Sequence, residues 1–227
     1  MQIIATLLIL SGTVASSLTS KNEPSKDFTL VLDPAGDTQN SGRVIGNQFE
    51  RGLTLQCAEY IKNQLHKEFP TIRITLTRFP GETAPVAYKN ASFANKIGAN
   101  LYISLHLYQQ HDTRTLGIYT FGRGDTPPSR THKKQLSFTP VHKVHQKSSP
   151  VSQQYAQLLY EELVPLFEKG GLVYAPTAVP LKALEGLDCP AFCIELSTTH
   201  KHDALRLMDS LCQALIPVIN QALQEQL

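Results

Sequence analysis

Three short apolar runs in the chain each lead into a residue that can do chemistry. They span residues 28–32, 101–105 and 191–194. The residues that follow them are Asp33, His106 and Glu195. Short continuous apolar runs are typical of parallel strands whose two faces are both covered, and reacting groups gather beyond the carboxyl ends of such strands. The pattern therefore predicts that these three side chains share one crevice.

The rest of the chain alternates between helical and strand patterns. Apolar positions at helical spacing predict helices over 50–68, 86–97, 151–169 and 203–225, the last with a bend near Pro217. Further strands are predicted over 71–77, 116–121 and, at an edge, 180–184, while 34–49 reads as a long loop. This alternation is typical of α/β proteins. It predicts a single domain from residue 28 to 227, with a mostly parallel twisted sheet of about six strands covered by helices on both faces.

The amino-terminal twenty residues differ from the rest of the chain. Residues 3–10 are apolar, and 13–15 have the small-x-small pattern of a signal-peptidase cleavage site. We therefore expect a signal peptide over 1–20, a polar leader over 21–27, and export to the periplasm or cell wall. A buried first strand or helix is the alternative for this stretch. The stretch is too short to cross a bilayer, so no transmembrane segment is predicted in the mature chain.

A basic segment interrupts the alternation at about residues 123–149. It carries six Lys or Arg, three His and three Pro against one acidic residue. We interpret it as an exposed insertion, because long structureless segments are uncommon inside compact domains. It is either a solvated loop or a contact surface for an anionic wall polymer or a membrane. The net charge of +2 gives no reason to expect a nucleic-acid partner.

The four cysteines are predicted to be buried free thiols. Cys57 and Cys212 each share a helical face with apolar neighbours. Cys189 and Cys193 lie on one extended segment and would be roughly 13 Å apart, too far to bridge each other. A pairing of Cys57 with Cys212 or Cys189 stays open for an exported protein.

A second acidic residue is expected near the predicted crevice. Glu50 opens a helix directly after the long loop, which puts it at the same edge of the sheet as His106. Glu and His are both zinc ligands, and Glu195 could act as a general base on a metal-bound water. The alternatives are a hydrogen-bonded structural His, a Glu that stabilises the helix dipole, and an ion pair between Glu195 and a Lys.

Taken in order, several short segments resemble one known family. They are 28–34, Glu50 with Leu53, 74–78, 94–95, 98–106 and 190–195. This ordered set is similar to the zinc-dependent N-acetylmuramoyl-L-alanine amidases, over about residues 28–222. The resemblance implies a peptidoglycan substrate, cut at the amide between the lactyl group of muramic acid and the first alanine of the stem peptide.

The resemblance also implies roles for individual residues. Glu50 and His106 match two zinc ligands, and Glu195 matches the catalytic acid/base. The family's first ligand His falls on Gly36, which has no side chain to bind a metal. One ligand's share of zinc affinity is about 3–4 kcal/mol, a few hundredfold in binding. A substitute ligand could rescue the site, and Asp37 is the nearest candidate.

Other histidines are more distant candidates for the missing zinc ligand, and the sequence departs from the family pattern at two further places. The distant candidates are His111, His142 and His145. Lys89-Asn90 falls near an Arg that usually precedes the Ala-Asn pair. Leu107-Tyr108 stands where an Asn-containing sequence usually follows the second ligand His.

Three functional hypotheses follow. The first is a working zinc amidase with an altered metal site. The second is a peptidoglycan-binding or partner-recruiting protein on an amidase scaffold, without turnover. The third is a zinc-dependent peptidase of related architecture, which would cleave peptides that lack the sugar.

Overall fold

A computed structural model describes most of the predicted domain. The described residues are 28–79, 87–110, 114–122, 141–167, 171–199 and 201–225, without the side chains of 87–88 and 141–147. The predicted signal peptide and leader lie outside these residues, as does 123–140 of the basic segment. In the described part of the chain, no helix has both the length and the apolar character needed to cross a membrane.

Strands and helices alternate along most of the described chain. The strands are β1 (Thr29–Pro34), β2 (Val44–Ile45), β3 (Gln48–Phe49), β4 (Arg73–Leu76), β5 (Leu101–Gln109), β6 (Arg114–Phe121), β7 (Gly171–Val173), β8 (Thr177–Val179) and β9 (Ala191–Thr198). The helices are α1 (Glu50–Glu68), α2 (Ala87–Lys96), α3 (Val141–Phe167) and α4 (Lys201–Gln224), with a 3-10 turn at Lys182–Leu184. The α/β prediction is confirmed.

One seven-stranded sheet organises the domain, in the order β4-β1-β5-β9-β6, with β7 and β8 both paired to β6. Strands β4, β1, β5 and β9 are parallel, whereas β6 runs antiparallel to β9. The sheet is thus mixed, and one strand larger than the roughly six predicted. Strands β2 and β3 form a separate hairpin beside it.

The two faces of the sheet bury different side chains because neighbouring strand residues point in opposite directions. On β1, Leu30 and Leu32 join the larger core, which contains residues of α1, α3 and α4. Val31, between them, joins the smaller core with Ala91 and Ala94 of α2. Helices therefore cover both faces, as predicted, and both cores exclude water from the central strands.

Three local predictions are corrected by the structure. Residues 182–184 form a 3-10 turn, and the edge strand lies just before it at 177–179. Helix α3 begins at Val141, ten residues earlier than predicted, so it includes the end of the basic segment and Pro150. The 34–49 segment is not all loop, since it contains β2 and β3.

The cysteine prediction is confirmed, since all four thiols are free and buried. Burial raises the pKa of the Cys57, Cys189 and Cys212 thiols to about 12. The pKa of Cys193 is raised in the same direction and chiefly by burial. The thiolate is the reactive form, so these side chains act as core residues.

We expect native-state thiol labelling to be slow. A thiol of pKa near 12 is deprotonated in only about one molecule in ten thousand at pH 8. Ellman's reagent should therefore react at least about 100-fold more slowly with the native protein than with the guanidinium-unfolded one. All four thiols should react after unfolding without reductant; a smaller number would reveal a disulfide.

A buried serine ties α3 to the first residue of β9. The hydroxyl of Ser152 accepts the N–H of Ala191 at 2.9 Å and donates to the carbonyl of Ser148 at 2.7 Å. Ser152→Ala should lower the free energy of unfolding by about 1–3 kcal/mol, because it leaves a buried N–H without a partner. Urea denaturation measures this. Ser210→Ala, which removes a half-buried hydroxyl from α4, should change stability by less than about 0.5 kcal/mol.

Candidate active site

His106 and Glu195 are neighbours across the centre of the sheet. The parallel register of β5 and β9 pairs their Cα positions directly, so the two side chains leave the sheet on the same face. Both strands continue three residues further, to Gln109 and Thr198. The prediction that these residues end their strands is therefore wrong, but they do lie close together.

Glu50 reaches this region from the first turn of α1. Its Oε1 lies 3.4 Å from Nδ1 of His106 and accepts the backbone N–H of Leu107 at 3.0 Å. Its Oε2 accepts the backbone N–H of Arg43, also at 3.0 Å. Burial alone would raise the pKa of Glu50, but the contact with His106 and these N–H donors outweigh it and lower the pKa. A buried carboxylate with so many donors stays ionised.

The 35–43 loop, between β1 and β2, folds directly onto Glu50. Gly42 has a φ of +74°, and a Cβ there would lie 2.6 Å from Oε2 of Glu50. The backbone of Arg43, next to it, makes two hydrogen bonds with Glu50. Its carbonyl accepts the backbone N–H of Glu50 at 2.8 Å, and its N–H donates to the Glu50 carboxylate. The loop thus satisfies an otherwise unpaired N–H at the start of α1 and covers one side of the Glu50 carboxylate.

Gly36, at the position that resembles the missing zinc ligand, is also tightly enclosed. Its φ is +83°, and a Cβ there would lie 2.8 Å from Cβ and 3.0 Å from Cα of Arg51. Side chains of L-residues rarely adopt this backbone region. The loop conformation therefore excludes any side chain at this position, not only histidine.

The carboxylate of Glu195 is paired with a guanidinium. Nη1 of Arg43 lies 2.6 Å from Oε1 of Glu195. The same guanidinium is 3.5 Å from the carbonyl of Leu107, and its Cζ lies 5.5 Å from the centre of the Tyr108 ring. Burial opposes the charged form of Arg43, but the hydrogen bond and the charge of Glu195 outweigh it and raise the pKa of Arg43. Glu195 is thus in an ion pair, with Arg43 and not with a lysine.

Tyr119 completes the polar surroundings of Glu195. Its hydroxyl donates to Oε2 of Glu195 at 3.4 Å. The phenol crosses over Gly117, where a Cβ would lie 2.6 Å from the hydroxyl oxygen. Gly117 is paired with Glu195 in the β6–β9 ladder, so the absence of a side chain there leaves room for the tyrosine.

These groups line a crevice of about 350 Å³. Its lining residues are Arg43, His106, Tyr119, Val179, Leu181, Lys182, Ala183, Cys193 and Glu195. The lining combines apolar side chains with charged and hydrogen-bonding groups. Such a combination suits a ligand with both apolar and polar parts.

Asp33 belongs to a different cluster. Its carboxylate accepts hydrogen bonds from the side chains of Thr77 at 2.6 Å, Asn90 at 2.9 Å and Ser104 at 3.2 Å. It is only 7% exposed and does not line the crevice. The prediction that Asp33 shares the crevice is wrong, because Asp33 links β1 to β4, α2 and β5.

The described residues do not form a donor set that fits zinc. Glu50 and His106 lie together, but no group of three or more His, Cys, Asp or Glu side chains in this part of the chain is arranged to hold a metal. Asp37 uses its carboxylate within its own turn, accepting the N–H groups of Gln39 at 2.7 Å and Asn40 at 2.6 Å. In this structure its carboxylate is thus engaged by its own turn and is not part of the Glu50–His106 pair. His111 and the side chains of His142 and His145 lie outside the described residues.

The sequence did not identify Arg43, Gly42 or Tyr119 as parts of the site. Tyr119 carries a usable signal, since it lies two residues after a strand glycine and therefore on the same face as Gly117. Arg43 and Gly42 lie in a segment without periodicity, and nothing in its pattern indicates which way the arginine points.

Comparison with known proteins gives a consistent result. The profile of the N-acetylmuramoyl-L-alanine amidase family matches residues 30–224. A search of curated proteins found no match. Solved structures of the same fold include an N-acetylmuramoyl-L-alanine amidase from Clostridium difficile 630, with 17% identity over 88% of this chain and 98% of that one and a TM-score of 0.63.

Two further structures are similar. For the amidase Ami1 from Mycobacterium smegmatis the identity is 13%, the coverage is 86% of this chain and 97% of that one, and the TM-score is 0.62. For the catalytic domain of CwlV, an amidase from Bacillus (Paenibacillus) polymyxa var. colistinus, the identity is 13% and the TM-score is 0.60. The match covers 85% of this chain and 98% of that one. With the family profile covering nearly the whole described domain, the chain belongs to the N-acetylmuramoyl-L-alanine amidase family.

Proposed function

We propose that this protein is an exported amidase-family protein that binds peptidoglycan through the crevice without zinc-dependent hydrolysis. The observation that carries the proposal is the 2.6 Å ion pair between Arg43 and Glu195. A glutamate that takes a proton from water must turn an oxygen lone pair toward that water, and protein donors on the same oxygens compete with it. Here one oxygen of Glu195 is bonded to a guanidinium and the other accepts from Tyr119.

The guanidinium also opposes metal binding by its charge. A +1 and a +2 charge roughly 5 Å apart repel by about 6–7 kcal/mol at an effective dielectric constant of about 20. Arg43 is half exposed, so water screens part of this. Even half of this repulsion equals the binding free energy that one zinc ligand would supply, about 3–4 kcal/mol. The repulsion by Arg43 and the absence of the first ligand both weaken metal binding.

The envelope location rests on the family and on the amino-terminal pattern. Family membership supports peptidoglycan as the ligand class. The signal-peptide pattern over 1–20 supports export to the periplasm or cell wall. The basic segment at 123–149 supports an additional contact with anionic wall polymer.

Hydrolysis of the muramoyl–alanine amide is the second candidate function. It is favoured by the convergence of Glu50 and His106, 3.4 Å apart, with Glu195 beside His106 in the sheet. If this candidate is correct, purified protein releases stem peptides from muropeptides and contains stoichiometric metal. Release from peptides that lack the sugar would instead indicate a related peptidase.

We expect purified mature protein to sediment with peptidoglycan sacculi without releasing stem peptides. Ala183 lies in the crevice wall, so Ala183→Trp should fill the cavity and weaken binding at least tenfold. Ala175→Trp, on the exposed turn between β7 and β8, is the matched control and should bind within about twofold of wild type. Sedimentation is quantified by densitometry and product release by chromatography.

Either of two results would contradict this proposal. One is stem-peptide release by wild-type protein that is lost in Glu195→Gln with the fold intact, which would establish hydrolysis. The other is equal sacculus binding by wild type and Ala183→Trp, which would place the binding surface outside the crevice.

A further inference from the structure

One residue connects both acidic groups of the crevice. The Arg43 side chain binds the carboxylate of Glu195, and the Arg43 backbone N–H binds the carboxylate of Glu50. Its guanidinium also approaches the Leu107 carbonyl and the face of the Tyr108 ring. Arg43 therefore contacts α1, β5 and β9 together, and it does so at the centre of the candidate site.

The loop that carries Arg43 is built to hold it there. Gly42 approaches Glu50 so closely that any side chain at this position would collide with the carboxylate. The carbonyl of Ser41 accepts the N–H of Arg51 at 3.1 Å, and the carbonyl of Arg43 accepts that of Glu50 at 2.8 Å. These bonds anchor the loop to the first turn of α1, and they therefore fix the backbone position from which the Arg43 side chain extends.

Two departures from the family pattern lie in this same arrangement. Gly36 stands where the resemblance places a ligand histidine, and the loop folds against Arg51 in a way that excludes a side chain there. Tyr108 stands where the resemblance places an Asn-containing sequence, and it supplies the aromatic face beside the guanidinium. An arginine stacked on an aromatic ring is stabilised by cation–π attraction. The position without a ligand and the surroundings of Arg43 thus lie in one loop and the strand beside it.

We propose that the Arg43 guanidinium is the permanent cation of this crevice, holding Glu195 and the 35–43 loop in place and excluding divalent metal ions. This rests on the proposed function, since it explains how an amidase-type crevice stays assembled without zinc chemistry. A planar guanidinium suits this position better than an ammonium, because it can bond a carboxylate and a carbonyl while it stacks on a ring.

Removing the guanidinium should open the crevice to metal. In Arg43→Ala, the carboxylate of Glu195 would lose the guanidinium bonded to it and would lie free beside His106 and Glu50, with Lys182 left as the other basic residue of the crevice lining. We expect the metal-free variant to unfold at a lower temperature than wild type and to bind Zn²⁺ at least tenfold more tightly. At Zn²⁺ about 100 times the dissociation constant, linkage should raise its Tm by about 5–10 °C. Wild type, which binds at least tenfold more weakly, should shift by no more than about half as much at the same concentration.

Matched variants make the result specific to this site. Arg114 has a side chain 50% exposed, against 52% for Arg43, and lies 3.9 Å from Asp203. Arg114→Ala should therefore show no gain in zinc response. Adding Glu195→Gln to Arg43→Ala should abolish the gain, because it removes the negative charge that the loss of Arg43 leaves uncompensated. Arg43→Lys keeps a positive charge and should still exclude zinc. Arg43→Gln replaces Arg43→Ala if the alanine variant does not fold, as judged by circular dichroism.

The readouts are calorimetric titration with Zn²⁺ and thermal unfolding with and without it. Equal zinc affinity in wild type and Arg43→Ala would overturn the proposal, as would a gain that persists after Glu195→Gln. Sacculus binding and stem-peptide release are measured on the same wild-type sample. If wild type binds sacculi without release but Arg43→Ala gains no zinc affinity, only this inference fails. If wild type hydrolyses muropeptides, the proposed function fails first.

Discussion

The site depends on the parallel pairing of β5 with β9 at the centre of the sheet. Both strands are buried on both faces, so their register is fixed by two cores at once and a slip of one residue would exchange the faces. This register places His106 beside Glu195. Because the ladder continues beyond both residues, their backbones are held rigidly while their side chains face the crevice.

A crevice with two carboxylates needs compensating charge or hydrogen bonds. For Glu50 the compensation comes from backbone N–H groups and His106. Little additional conformational entropy is lost, because the fold already holds these donors in place. For Glu195 it comes from a side chain, Arg43. The two side chains are 52% and 25% exposed, so water shares this compensation and the ion pair adds at most about 1 kcal/mol of stability. The contribution of the cation at this position is therefore charge balance and the placement of Glu195.

Much of the fold could be predicted from the sequence because burial leaves a simple signature. Continuous apolar runs identified β1, β5 and β9, and helical spacing identified α1 and α4. The failures have local causes. Leu181 and Leu184 both pack into the smaller core. This spacing of three suits a 3-10 turn, whereas in a strand the two side chains would point to opposite faces. Helix α3 continues through Pro150 to Val141, into a basic segment whose composition indicates a loop.

Only part of the site could be predicted from the sequence. The part that was missed, the loop with Arg43, determines the charge beside Glu195. Glu50, His106 and Glu195 lie on regular elements, so their meeting point follows from topology. Arg43 lies on a loop shaped by two glycines of positive φ, and a loop's path depends on contacts that no short pattern encodes. A histidine restored at Gly36 would meet the backbone of Arg51, and Gly42 and Arg43 would still occupy the space beside Glu50. The loss of the ligand is thus a property of the whole loop, and restoring the histidine alone would not rebuild the family's metal site.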